Sequence, residues 1–308
     1  MSQNCSRQPN RIIEYTPTSE YEGKKICEFL RDNGFSRQNL TDLKFTESGV
    51  HLEGNRIKLD HRIQAKETFH VCITETRASQ NISAVELPFD VVYEDEDLVV
   101  VNKPSDMPIH PSLNNYDNTL GNAAAYYYKQ QGFNFVYRCI NRLDRDTTGL
   151  VIIAKNIISA NMLSRQHQND EIEKEYTAIV VGEDIDDSGT IDAPIGRKNG
   201  STITRCIDFS NGERAVTHYK VVSRKNGLSM IKLKLETGRT HQIRVHMASI
   251  GHPLIGDFLY NPTDTHMSRQ ALHVGKISFK QPIYKTPITL EVPLPEDMRA
   301  AFPVEHLQ

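Results

Sequence analysis

No stretch of this sequence approaches the roughly 18 consecutive apolar residues that would cross a bilayer. The polar opening MSQNCSRQPNR also lacks the apolar core of a secretory signal. A membrane partner is therefore not expected, and a cytoplasmic location is. Cysteine is scarce as well: Cys5, Cys27, Cys72, Cys139 and Cys206 are far apart, odd in number and never in a C-x-x-C pair. That pattern argues against a disulfide framework and against structural zinc, leaving thiols in a reducing compartment. The loops of nucleotide and hydrolase chemistry are missing too. There is no Walker A loop, G-x-G-x-x-G, G-x-S-x-G or H-E-x-x-H, so phosphate cradling, dinucleotide binding and serine hydrolysis find no support. Nor is there an excess of positive charge. The formal net charge is -3, where a nucleic-acid binder usually shows a basic face. Local clusters at Arg138, Arg142 and Arg145, at Arg197, Lys198 and Arg205, and at Arg239 and Arg244 could still supply one.

What is present is ordinary globular material: 308 residues, 38% hydrophobic and 24% charged. This is enough for one small and one large unit. Residues 1–10 read as a disordered tail. In KKICEFLRDNGFS the apolar positions Ile26, Phe29 and Leu30 recur at helical spacing before Gly34, and SRQNLTDLKF offers Ser36 as an N-cap. The runs GVHLEG, RIKLDHRI and ETFHVCI read as strands. Together they predict a small α+β unit over residues 11–75, followed by a polar linker over 76–87. A larger unit over 88–308 mixes strands and helices with no regular βαβ alternation, which predicts an α+β fold. In it, GLVIIAK (149–155) is apolar throughout and reads as a central strand. EYTAIVVG (175–182) reads as another strand. Helices are expected over 119–131, 157–168 and 240–250, the last closed by Gly251.

Three places concentrate polar residues beside apolar strands. In RCINRLDRDTTGLVIIAK, Asp144 stands in a loop just before the central strand, flanked by Arg142, Arg145, Thr147 and Thr148, donors suited to an ionised carboxylate. A structural Asp capping the loop is the alternative reading. In LETGRTHQIRVHMASIGHPLIGD, Ile243, Met247 and Ile250 mark a buried helix face with Arg244 at its border. From there an arginine can reach a carboxylate, worth roughly 4 kcal/mol of Coulomb energy at a dielectric near 20 before desolvation; a surface Arg is the alternative. His241, His246 and His252 do not share a helical face, so no metal is expected. Tyr176, in KEYTAIVVG, could present its ring to a planar ligand or simply pack in the core.

Taken in order, YEDEDLVVVNKPSDMPIHPS, NRLDRDTTGLVIIAKN, KEYTAIVVG, ETGRTHQIRVHMASIGHPLIGD and ALHVGKISF resemble the RluA family of pseudouridine synthases over residues 88–295. The N-terminal unit is similar to the alpha-L RNA-binding domain. The resemblance implies the pseudouridine synthase fold, a mixed and mainly antiparallel sheet flanked by helices and loops. It implies an isomerase that converts uridine to pseudouridine in structured RNA, with large-subunit ribosomal RNA the first expectation and tRNA the second, as a monomer without cofactor or metal. Carried over by position, Asp144 is the catalytic carboxylate, Tyr176 stacks on the uracil and Arg244 pairs with Asp144. Arg142 fills the stack as the base leaves, and Leu272 packs beneath the tyrosine. Arg145, Arg239 and Thr147 are further substrate contacts. The chain departs from the family signature at Asn141, where a histidine is usual, and at Thr148, where a serine is. Between residues 20 and 77 acidic and basic residues balance at about ten each, so the RNA-binding role of the first unit is less marked than its fold.

Overall fold

The structure is a computed structural model that describes residues 11–45, 49–73, 79, 81–132 and 135–303. The expected tail lies outside that range. The first unit consists of β1 (Arg11–Tyr15), α1 (Ile26–Asp32), α2 (Arg37–Phe45), β2 (Gly49–Leu52), β3 (Asn55–Ile57) and β4 (Phe69–Ile73). Its four strands form an antiparallel sheet in the order β1-β4-β2-β3. The apolar spacing of α1 buries Ile26, Phe29 and Leu30 as expected. RIKLDHRI, however, is strand only as far as Ile57. Beyond it, the carbonyls of Leu59 and His61 accept the N–H groups of Cys27 and Ile26. The segment thereby satisfies donors at the start of α1 that have no partner inside the helix.

The second unit runs through β5 (Asp90–Glu94), β6 (Leu98–Lys103), α3 (Leu120–Gln130), β7 (Arg138–Cys139), β8 (Thr148–Ala154), α4 (Ile157–Gln168) and β9 (Glu173–Val181). It continues with β10 (Ser188–Asp192), β11 (Ile195–Arg197), β12 (Arg205–Ile207), β13 (Val216–Lys225), β14 (Leu228–Leu235) and α5 (Gln242–Ser249). It ends with β15 (Leu272–Lys280), β16 (Pro287–Glu291) and α6 (Glu296–Ala301). One ten-stranded sheet has the order β10-β13-β14-β9-β15-β8-β6-β5, with β16 beside β15 and β7 beside β8. All its pairings are antiparallel except β8 with β15. The α+β architecture with a mainly antiparallel sheet is thus the one expected. Strand β8 is buried at every position, which is why its sequence is apolar without alternation.

The units share side chains. Ile158 and Met162 of α4, with Ile283, complete the core of the first unit, and Arg11 donates to buried Asp97 at 3.0 and 3.1 Å. The stretch read as a linker is bonded to its neighbours where it is described: Val85 N–H donates to the Asn122 carbonyl, and Ile82 and Leu87 pack with the α3 cluster.

Candidate active site

The parallel pair β8–β15 sets the Thr148 and His273 positions side by side, with Tyr176 of β9 opposite Val274. The loop entering β8, the start of β15 and the middle of β9 therefore meet in the sheet. Gly149 makes this register possible. Its φ is +114°, and a Cβ there would collide with the Val274 carbonyl oxygen, so only glycine lets the two backbones come so close.

The loop before β8 is tied on several sides. Buried Asn141 donates to the Leu150 carbonyl at 3.1 Å and accepts the Ile152 N–H at 2.8 Å, extending the ladder of β8 with a side chain. Fully buried Lys103 donates to the carbonyls of Pro104, Met107 and Arg145 at 2.7, 2.9 and 2.8 Å. Burial pulls its ammonium down to about 7, with the nearby Asp146 charge opposing. Arg269 donates to the Asp146 carbonyl at 3.1 Å, and Gln270 donates to Thr147 Oγ1 at 3.3 Å. Thr148 Oγ1 lies 2.9 Å from His273 Nδ1.

This loop forms part of a cleft of about 320 Å³, within the roughly 300–1,000 Å³ range of ligand pockets. Its lining includes Arg142, Asp144, Thr147, Lys174, Tyr176, Arg239, His241, Arg244 and Leu272. Asp144 is the one carboxylate among the described residues of that lining. Its Oδ2 accepts a hydrogen bond from Arg244 Nη1 at 3.0 Å, and its side chain is 26% exposed. The other edge of the guanidinium donates from Nε and Nη2 to the two oxygens of Asp257 at 2.7 and 2.8 Å. Asp257, fully buried, also accepts the N–H groups of Leu259 and Tyr260. Burial opposes the charge of Arg244, but its bonds and its attraction to Asp257 and Asp144 outweigh that cost and hold the guanidinium well above its ordinary range. The Tyr260 and Phe258 rings lie 5.1 and 5.7 Å from its carbon.

Tyr176 and Leu272 belong to one apolar cluster. Burial first, and the Asp144 charge second, push the Tyr176 phenol upward, so it stays neutral. His241 stands before α5 with a left-handed backbone, φ 58° and ψ 20°. Its Nδ1 is 3.0 Å from Tyr260 Oη, which also accepts the Arg205 N–H at 2.9 Å. The tyrosine proton is then free for Nδ1, which leaves Nε2–H facing Asp144 Oδ2 at 3.8 Å. This tautomer follows from the hydrogen-bond network. Burial lowers the His241 imidazole, opposed by the Asp144 charge.

Of the residues singled out in the sequence, the cleft gathers Asp144, Tyr176, Arg244, Arg142, Leu272, Thr147 and Arg239. Arg145 is not among them. Its guanidinium is held by ion pairs with Asp146 at 3.1 Å and Asp106 at 3.6 Å, and its backbone carbonyl accepts from Lys103 Nζ and the Met107 N–H. Helix α5 is shorter than expected. It begins after the turn at His241, and Ile250 caps it at 38% exposure instead of lining its buried face. Arg244, expected at the border, is 2% exposed. The three histidines diverge: His246 meets Thr217 and the Ala193 carbonyl, and His252 the Val181 carbonyl. Among the described residues no group of three or more potential ligands could hold a metal. Sequence reasoning passed over Asp257 and Lys103. Asp257 ends the block ETGRTHQIRVHMASIGHPLIGD and Lys103 lies inside YEDEDLVVVNKPSDMPIHPS, each a charged residue just after an apolar run.

Comparisons with known proteins point one way. The family model described as RNA pseudouridylate synthase matches residues 97–249. A relative from Bacillus subtilis, "Uncharacterized RNA pseudouridine synthase YlyB", is 38% identical over 297 residues, 93% of this chain and 95% of its own length. "Ribosomal large subunit pseudouridine synthase D" of Vibrio cholerae is 38% identical over 288 residues, covering 89% of this chain and 87% of its own. Among solved structures, "Human RNA Pseudouridylate Synthase Domain Containing 1" superposes with a TM-score of 0.59 at 28% identity. That match covers 70% of this chain and 87% of the human one.

Proposed function

This chain belongs to the RNA pseudouridylate synthase family, an isomerase family, and on that premise we propose that it isomerises uridine in large-subunit ribosomal RNA with Asp144 as the reacting carboxylate. One observation supports the assignment of the residue: Asp144 is the single acid among the described residues of the cleft lining, and a buried guanidinium aims it.

The reaction breaks the bond from uracil N1 to the ribose anomeric carbon, turns the base and rejoins it through C5. N1 gains a proton, and the C5 proton leaves to solvent. Atoms and electrons balance without a cofactor or an oxidant. A carboxylate beside the anomeric carbon can stabilise positive charge there, or act as nucleophile or base. Arg244 fixes its position while Asp257 fixes Arg244. Tyr176 offers a neutral aromatic face to the freed base, and Leu272 supports the ring. Water must be kept out, since it would capture the intermediate and release uracil. Extruding the uridine from its stack costs a few kcal/mol, and exposed Arg142 is placed to fill the gap it leaves. Thr147 acts by holding the loop, and Arg239 by meeting the RNA beside the cleft.

Relatives named as large-subunit enzymes support this choice of substrate. Work on ribosomal RNA would place the chain in the cytoplasm, where we take it to act as a monomer. Residues 11–75 would position the RNA as a unit similar to an alpha-L domain, with few phosphate contacts. Mapping pseudouridine across the RNA of cells lacking the gene tests the substrate. Loss of a mark in large-subunit RNA, restored by the wild-type gene and not by Asp144→Asn, is the expected result. A mark lost from tRNA alone would refute the ribosomal assignment.

A further inference from the structure

Beside the cleft of Asp144 lies a second one, of about 350 Å³, formed by the β11–β12 hairpin and the segment before α5. The two share Gly238 and Arg239. Arg197 of β11 and Arg205 of β12 line the second cleft and are direct partners across the antiparallel ladder. Like charges so placed repel, and among the described residues neither arginine forms an ion pair. Arg205 Nη1 is buried without any hydrogen-bond partner, an arrangement that costs stability unless something occupies it. The nearby acids are engaged: Glu213 binds Arg239 Nη1 at 2.5 Å, and Asp208 accepts the N–H groups of Ser210 and Asn211. The Arg205 charge is felt at His241 beside Asp144. The cleft therefore lies within electrostatic reach of the reacting centre.

We propose that this second cleft is an anion site for an RNA phosphodiester adjoining the everted uridine, with Arg197 and Arg205 as its ligands and Arg239 at its border. The proposal rests on the isomerase reading for the identity of the RNA. A phosphate supplies the acceptor that Arg205 Nη1 lacks and neutralises the cross-strand pair, and arginine forks suit its oxygens. Because Tyr260 Oη takes the Arg205 N–H, the same strand that would hold the phosphate also orients His241.

The test is binding of the full chain to an unmodified transcript of large-subunit ribosomal RNA over a range of salt concentrations, with pseudouridine formation by the wild type measured in parallel. Arg197→Met and Arg205→Met should each weaken binding roughly tenfold, the size of one lost charge-assisted contact. Each should also lower the slope of log affinity against log salt by about one, while Arg205→Lys keeps the slope. Arg197 is solvent-exposed, so its variant decides the matter if Arg205→Met fails to fold. Wild-type affinity and slope in the Arg197→Met variant would overturn the site while leaving the isomerase reading intact. A reduced slope with no pseudouridine formed by any protein would keep the site and overturn that reading.

Discussion

At the scale of single residues, the arrangement is a chain of charge: Asp257, Arg244, Asp144. A guanidinium at 2% exposure is tolerable because one edge is saturated by Asp257 and the other reaches Asp144. Removing one partner of such a buried pair typically costs about 3–5 kcal/mol. Asp257→Asn should therefore lose stability of that order in urea unfolding. The folded variant should also turn over more slowly, although Asp257 is not among the residues lining the cleft. Full turnover in a stable Asp257→Asn protein would show that Arg244 needs no second anchor. The sequence placed Arg244 within reach of a carboxylate because helical spacing sets a side chain's direction. Asp257 is 13 residues further on, beyond helix periodicity, and only the turn after α5 brings it back. His241, by its spacing from His246 and His252 in the sequence, is not expected to bind a metal. Its contact with Tyr260 depends on a left-handed backbone that composition does not disclose.

Among elements, the loop of residues 141–147 matters most, and it is held by its own Asn141, by Lys103 at the end of β6 and by the adjoining Arg269 and Gln270 before β15. Its exit into β8 passes through Gly149, where a side chain would meet both a disfavoured backbone angle and the Val274 carbonyl. Gly149→Ala should destabilise the chain by more than about 1 kcal/mol and displace the Asp144 loop, so activity should fall more steeply than thermal stability. A variant with unchanged melting and turnover would contradict the close approach of β8 and β15. Strands β8 and β9 were legible in the sequence because burial on both faces writes a continuous apolar run. Residues 58–63 were misread as strand because their alternation looks the same whether a backbone pairs with a sheet or caps a helix. The departure at Asn141 left the loop's geometry open, and the amide resolves it by bonding to both Leu150 and Ile152.

For the whole molecule, the relevant quantity is the number of neutral imidazoles it keeps from water. Burial lowers His110, His167, His241 and His246, and takes His273 down to about 4. For each, the unfolded chain binds a proton that the folded chain refuses between the ordinary value of 6.5 and the lowered one. Their contribution to stability is therefore full above pH 6.5 and declines as pH falls through that window. His273 alone accounts for about 3 kcal/mol between pH 6.5 and 4. Urea unfolding at pH 7 and pH 4.5 should show the decline, and equal midpoints would argue that these rings are solvated. The α+β class was readable at this scale from the irregular order of elements. The sharing of one core between the first unit and α4 was not, because Met162 and Ile158 look like any helix face until a partner is known. The central claim concerns a single carboxylate and can be measured directly. The purified chain should release tritium from uracil C5 of labelled, unmodified large-subunit transcript, while Asp144→Asn binds the same RNA with wild-type affinity and releases none. Release by the Asp144→Asn protein at the wild-type rate would contradict the account.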